Sequence, residues 1–214
     1  MKCDKKDLIL YAVTDRTWLG DMTLSAQVEE ALKGGATFIQ LREKELSEDD
    51  FLKEALNIKK ICQKYNVPFI INDNLNVAIR SDADGIHIGQ NDLDAMYVRN
   101  VIGKDKILGA SVQTVEQAIT AEKIGADYLG VGAIFATSSK ADADNVSIAT
   151  LKEICNAVHI PVVAIGGICA DNILELKGSG VCGVAVISAI FASKNIMSAT
   201  RRLKGLTKQV ITND

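Results

Sequence analysis

The chain is 214 residues long, room for one large domain or two small ones, and about 70% of its unfolded surface can be buried at this size. Its composition (48% hydrophobic, 24% charged, 16 Gly, 2 Pro) is ordinary for a globular protein and excludes disordered, collagen-like and coiled-coil classes. Twenty-four Lys and Arg against 27 Asp and Glu give a net charge of -3, which excludes a global basic field for nucleic acid or an acidic membrane. A few clustered cations would still serve an anionic small ligand.

Short β-branched apolar runs alternate with longer stretches of helical spacing. The first run covers 8–14 and the second 37–41, which leads into Gln40-Leu41-Arg42-Glu43-Lys44. Residues two apart on a strand share a face, so Gln40, Arg42 and Lys44 point one way. Two cations and an amide on one face suit a phosphate or diphosphate clamp, Arg as a bidentate fork and Lys as a point charge. Pairing of the cations with Glu43 and Glu45 at a solvated strand end is the alternative. The stripe Phe51, Leu52, Ala55, Ile58 and Ile61 predicts a helix over 48–65. The third run, 68–72, and the fourth, 85–89, each deliver a carboxylate just past their ends, Asp73 and Asp92. Mg²⁺ is held by one or two carboxylates with waters and phosphate oxygens, and this pair fits it; two helix N-caps are the alternative. His87 shares the parity of Gly85 and Gly89, so it faces inward either as a packed imidazole or as a catalytic one.

The fifth run, 106–110, is followed by Ser111 and by a helix predicted over 114–124, with Thr114 and Gln117 as capping box and Gly125 as C-cap. After the sixth run, 127–132, comes an irregular stretch over 133–145. Its Thr137-Ser138-Ser139-Lys140 suits anion recognition on an active-site lid. The seventh run, 161–166, ends in Gly166-Gly167, where backbone can approach a ligand closely, and a further helix is predicted over 170–176. The eighth, 183–187, ends in Ile187-Ser188.

Eight strand-like runs and roughly eight helices predict an α/β protein, a single (β/α)8 TIM barrel forming one domain over 1–214, in preference to a doubly wound open sheet. The loops after strands seven and eight form the common phosphate site of such barrels. Gly130-Val131-Gly132-Ala133-Ile134-Phe135 fails the last position of G-x-G-x-x-G, and no G-K-[ST] occurs, so dinucleotide and P-loop readings have no support. Five cysteines (Cys3, Cys62, Cys155, Cys169, Cys182) show no C-x-x-C, and His87 and His159 are the only histidines. Buried thiols in a reducing compartment are expected, with no zinc set. No secretory h-region and no 18-residue apolar window is present, so a soluble cytoplasmic protein with no membrane partner is expected.

In the order Tyr11-Ala12-Val13-Thr14-Asp15, Gln40-Leu41-Arg42-Glu43-Lys44, Asn72-Asp73, Gly85-Ile86-His87-Ile88-Gly89-Gln90-Asn91-Asp92, Thr137-Ser138-Ser139-Lys140 and Ile165-Gly166-Gly167-Ile168, the chain resembles the thiamine phosphate synthase family. The resemblance runs from about residue 11 to residue 188. It implies a (β/α)8 transferase that joins a pyrimidine diphosphate to a thiazole phosphate and releases diphosphate in thiamine biosynthesis. It further implies that Gln40, Arg42, Lys44, Asn72, Ser111 and Lys140 hold the pyrimidine diphosphate, with Lys140, Ser111 and Arg42 catalytic. Asp73 and Asp92 would ligate Mg²⁺, and Thr137, Ser139, Gly167, Ile187 and Ser188 would contact the thiazole phosphate. The implied mechanism is dissociative and needs no protein nucleophile. Partners would be these small molecules, with a homodimer left open.

The chain departs from the family at Ala136, often Pro there, and over 141–147, which lacks a Pro-x-Gly. Two other readings keep the fold. A thiazole tautomerase-like enzyme would need neither the diphosphate clamp nor the two carboxylates. A non-catalytic thiamine-phosphate sensor would keep the pocket without turnover.

Overall fold

The computed structural model describes residues 3–90, 92–137 and 145–212. Eight parallel strands close into a barrel in sequence order: β1 (Leu10–Val13), β2 (Phe38–Leu41), β3 (Phe69–Asn72), β4 (Gly85–Ile88), β5 (Ile107–Val112), β6 (Tyr128–Val131), β7 (Val162–Ile165) and β8 (Gly183–Val186), with β8 pairing back onto β1. Around them run α1 (Leu24–Gly34), α2 (Glu48–Tyr65), α3 (Leu75–Arg80), α4 (Ala95–Ile102), α5 (Val115–Ile124), α6 (Ile148–Ala157), α7 (Ser188–Phe191) and α8 (Ile196–Ile211). The α/β barrel predicted from the runs is the fold observed. Among the described residues no helix is long and apolar enough to cross a membrane.

The strands are buried on both faces, which is why they read as unbroken apolar runs. One parity, including Ile39, Leu41, Ile71, Leu129 and Val184, packs outward under the helices. The other fills the barrel interior with a smaller cluster built from Leu8, Tyr11, Val13, Phe38, Ile70, Ile107, Tyr128, Val163 and Ala185. Following that inner parity toward the strand ends gives Gln40 and Arg42, Asn72, His87, Ser111, Gly130 and Ile187.

Helix ends follow local chemistry. α2 spans the predicted 48–65, with Ser47 capping its start and Asn66 in the left-handed conformation closing it. At α5 the Thr114 hydroxyl accepts from the Gln117 N–H, but the Gln117 side chain reaches back to the Gln113 N–H (2.7 Å), one residue before the cap, so the box is offset. Two expectations are corrected. The helix predicted over 170–176 is a single 3₁₀ turn, Ile173–Leu176, because Asn172 turns its side chain back onto the Cys169 N–H (2.8 Å) and the Gly167 carbonyl (2.9 Å). Ser111 lies within β5 and not after it, since that strand runs on to Val112.

At the base of the barrel backbone hydrogen bonds run from strand to strand. The residue just before an even strand donates its N–H to a carbonyl at the start of the preceding odd strand, at Thr37–Leu10, Asp84–Phe69, Asp127–Leu108 and Cys182–Val162, and bonds at Ile39–Pro68, Ile107–Asp84, Leu129–Pro161 and Val184–Ile9 cross the remaining joints. In the first three of these pairs the side chain also accepts the N–H of the same partner residue: Thr37 Oγ1 from Leu10 (2.9 Å), Asp84 Oδ2 from Phe69 (2.8 Å) and Asp127 Oδ2 from Leu108 (2.8 Å). In the fourth the Cys182 thiol donates to the Val162 carbonyl (3.3 Å).

Candidate active site

A cavity of about 470 Å³ opens at the C-terminal ends of the strands. Its lining includes every predicted site residue that lies among the described ones: Gln40, Arg42, Lys44, Asn72, Asp73 and Asp92 from β2 to β4, Ser111 from β5, and Thr137, Gly167, Ile187 and Ser188 from the later strand ends. Ser139 and Lys140 lie outside the described residues. The barrel supplies this convergence by construction, because inward parity at each strand end faces one mouth.

The cationic wall is shaped by its neighbours. Thr14 Oγ1 accepts from the Arg42 N–H (3.0 Å), fixing the backbone where β2 ends. The Arg42 guanidinium meets Asp15 Oδ2 at 3.3 Å. Glu43 is engaged by Arg16 through both carboxylate oxygens (2.8 Å), with Glu54 on the same guanidinium (2.7 Å). Glu43 is thereby drawn away from Arg42 and Lys44, against the reading in which it neutralises them. Lys44 is exposed and makes no ion pair among the described residues.

Asp73 and Asp92 do not cap helices. Asn74 caps α3 by accepting from the Val77 N–H (2.9 Å), and Asp94 caps α4 by accepting from Tyr97 (2.8 Å). Asp73 has φ +60°, an uncommon conformation for a non-glycine residue, and its N–H is tied to the His87 carbonyl (2.9 Å). Asn72 Nδ2 donates to its carboxylate, and Asp92 Oδ2 accepts from the Gly89 N–H (2.7 Å). A side chain on Gly89 would strike that Asp92 oxygen. Burial, then the touching Asp92 carboxylate, pushes the Asp73 carboxyl up to about 7, with Asn72 and Arg42 pulling the other way. Two acidic groups held this close are electrostatically costly unless a cation shares them. Their hard oxygen donors suit Mg²⁺, and no third His, Cys, Asp or Glu joins them among the described residues. A cation that keeps waters and takes phosphate oxygens fits such a pair.

Across the barrel the wall is backbone. Gly166 and Gly167 both have positive φ (+97° and +63°), and a Cβ on Gly167 would collide with the Phe135 and Ala136 carbonyls, so only glycine fits the turn. After β8 the chain passes through Ile187 into α7, and the first N–H groups of a helix lack intrahelical partners.

Between these walls lies a polar floor that the sequence reading largely missed. His87 is buried, with Nδ1 2.8 Å from Tyr128 Oη and Nε2 2.9 Å from Ser111 Oγ. Tyr128 Oη is 2.8 Å from Tyr11 Oη, which in turn accepts from Gln40 Nε2 (2.5 Å). Burial pushes both tyrosine hydroxyls well above their ordinary pKa, so both stay protonated. The available signal was a tyrosine inside each of two fully buried runs, since a buried phenol usually finds a partner.

Comparison with known proteins agrees with this geometry. The family model described as thiamine monophosphate synthase matches residues 10–190. A thiamine-phosphate synthase from Ruminiclostridium cellulolyticum is 54% identical over 93% of this chain and 95% of its own length. One from Clostridium tetani is 53% identical over 93% and 95%. Among solved structures, a thiamine phosphate pyrophosphorylase from Pyrococcus furiosus superposes with a TM-score of 0.89 at 38% identity, over 96% of this chain and 98% of that one. With a family model spanning most of the chain and relatives above half identity over nearly all of it, this barrel belongs to the thiamine monophosphate synthase family.

Proposed function

We propose that this protein condenses 4-amino-2-methyl-5-(diphosphooxymethyl)pyrimidine with thiazole phosphate in the cytoplasm, giving thiamine phosphate and diphosphate. The observation that carries the reading is a single cavity with cations and a carboxylate pair on one wall and a glycine-turn backbone cradle on the other. Arg42, Lys44 and Lys140 hold the diphosphate. Gln40, Asn72 and Ser111 complete the grip on the pyrimidine diphosphate, and Thr137, Ser139, Gly167, Ile187 and Ser188 seat the thiazole phosphate.

Asp73 and Asp92 would hold Mg²⁺, which when bound supplies electrostatic stabilisation of the departing diphosphate. The chain's own groups do the rest. Arg42, Lys44 and Lys140 meet negative charge as it develops, and the two walls hold the thiazole nitrogen in line with the pyrimidine methylene carbon. Bond breaking leads, and the thiazole nitrogen captures the resulting pyrimidine-methyl cation. No side-chain nucleophile is required.

The test incubates the purified protein with both phosphorylated heterocycles and Mg²⁺ and follows thiamine phosphate and inorganic diphosphate. Equal release of the two, abolished by EDTA, is expected. Product formed equally well in EDTA would overturn the metal assignment. Diphosphate released without thiazole would mark a hydrolase instead, and binding of thiamine phosphate without turnover would mark a sensor.

A further inference from the structure

Gln40 and Ser111, on well-separated strands, are the two ends of one buried hydrogen-bond chain crossing the barrel beneath the cavity: Gln40 Nε2 to Tyr11 Oη, to Tyr128 Oη, to His87 Nδ1, and from His87 Nε2 to Ser111 Oγ. Glycines make room for it, since a Cβ on Gly109 would strike the Tyr128 hydroxyl and His87 Nδ1. Each hydroxyl has one proton to give, and a neutral imidazole carries one N–H.

The directions are therefore not independent. The Gln40 amide nitrogen can only donate, so Tyr11 accepts from it and gives its own proton to Tyr128. Tyr128 gives its proton to Nδ1, which leaves the ring proton on Nε2, donated to Ser111 Oγ. The Ser111 proton is then available to the cavity. At the other end so is Gln40 Oε1, which has no protein partner among the described residues. The opposite polarity requires all five groups to turn together, showing the cavity an NH₂ at Gln40 and only lone pairs at Ser111. A half-turned chain would leave two donors or two acceptors facing each other in a buried place, the costly case for a polar network.

We propose that this chain sets substrate selection by polarity: it holds an acceptor at Gln40 for an amino group and a donor at Ser111 for a diphosphate oxygen as one coupled pair, with Tyr11, Tyr128 and His87 as positioning residues. The proposal rests on the reading that an aminopyrimidine diphosphate occupies the cavity. A 4-oxo pyrimidine diphosphate presents an acceptor where the amino compound presents a donor. It is matched at Gln40 only by turning the chain, which withdraws the Ser111 donor, so it is penalised at both ends.

Two readouts test this on the full chain. With only His87 and His159 present, ¹⁵N-histidine labelling gives two sets of ring signals, assigned by His159→Gln. His87 is expected as the Nε2–H tautomer in the unaltered protein and as a tautomer mixture in Tyr128→Phe and in Tyr11→Phe. Each variant keeps the ring and removes one link, and melting curves confirm folding. Steady-state rates with the amino and 4-oxo diphosphates supply the second readout. The unaltered protein is expected to prefer the amino compound, and both variants to lose about tenfold of that preference, chiefly through kcat, although Tyr128 touches neither end. A Nδ1–H or doubly protonated His87 in the unaltered protein would overturn the proposal. So would an unchanged tautomer or unchanged preference in both folded variants. If the amino compound is not turned over at all, the functional reading fails alone, and the ring signals still decide the polarity.

Discussion

Asp73 shows at the scale of one residue how a site holds strain for a ligand. Its positive φ and its contact with Asp92 both oppose stability, and the Arg42 charge offsets only part of the cost. Asp73→Asn removes one of two facing charges and places an amide where left-handed backbone suits it better. The variant is expected to be more stable in EDTA by on the order of 1 kcal/mol, about 2–4 °C in Tm, and to lose both the Mg²⁺-induced rise in Tm and most turnover. Thermal melts with and without Mg²⁺, beside the diphosphate assay, check this; a less stable Asn variant in EDTA would remove the argument for stored repulsion. The cationic residues, the carboxylates and the glycine turn were legible in the sequence because strand parity and rim position fix where such residues face. Tyr11 and Tyr128 were not. Each sits in an apolar run where a phenol counts as bulk, and their contacts join positions 117 and 41 residues apart.

Elements were legible where local chemistry decides them. The cap residues Ser47 and Thr114 and the left-handed stops at Asn66 and Gly125 mark α2 and α5 without tertiary help. The stretch over 170–176 failed because Asn172 is committed to the turn after β7, a contact that serves the glycine cradle and takes precedence over helix spacing. Strand ends at the barrel base depend on the stitches. Asp84→Ala should leave the buried Phe69 N–H without its acceptor, costing about 1–3 kcal/mol, whereas Asp84→Asn keeps an oxygen there and should recover most of the loss. Urea denaturation midpoints distinguish the two, and kcat/KM should hardly change in either, since the base is remote from the cavity.

For the whole molecule, eight runs in series were enough to expect closure, because parallel strands need both faces covered and a barrel leaves no edge. The ionic ties around the base were not legible, since they join residues distant in sequence. Asp82, in the turn before β4, binds Lys106 (2.6 Å) and Lys59 (2.9 Å), and these cations, Lys106 first, hold its carboxyl down to about 2. A carboxyl lowered by folding stabilises above its unfolded value near 4, and that contribution disappears as pH falls toward 2. Asp82 is largely exposed, so the effect is screened and stays below about 1 kcal/mol. Asp82→Asn should therefore lower Tm by a degree or two at pH 7, less in high salt, with the gap closing between pH 4 and pH 2.

Side-chain acceptors tie β1 to β2, β3 to β4 and β5 to β6 at the base, whereas the backbone bonds there run on from each pair to the next, so a joint between pairs lacks only the side-chain tie. The exposed 103–105 connection, between α4 and β5, falls at such a joint, crossed by the Ile107 N–H to the Asp84 carbonyl. A short Gly/Ser insertion there should give an enzyme that folds and turns over. The same insertion at 81–83 would instead separate Asp84, the side-chain tie of β4 to β3, from the helix preceding it, and should yield the barrel with the lower melting temperature.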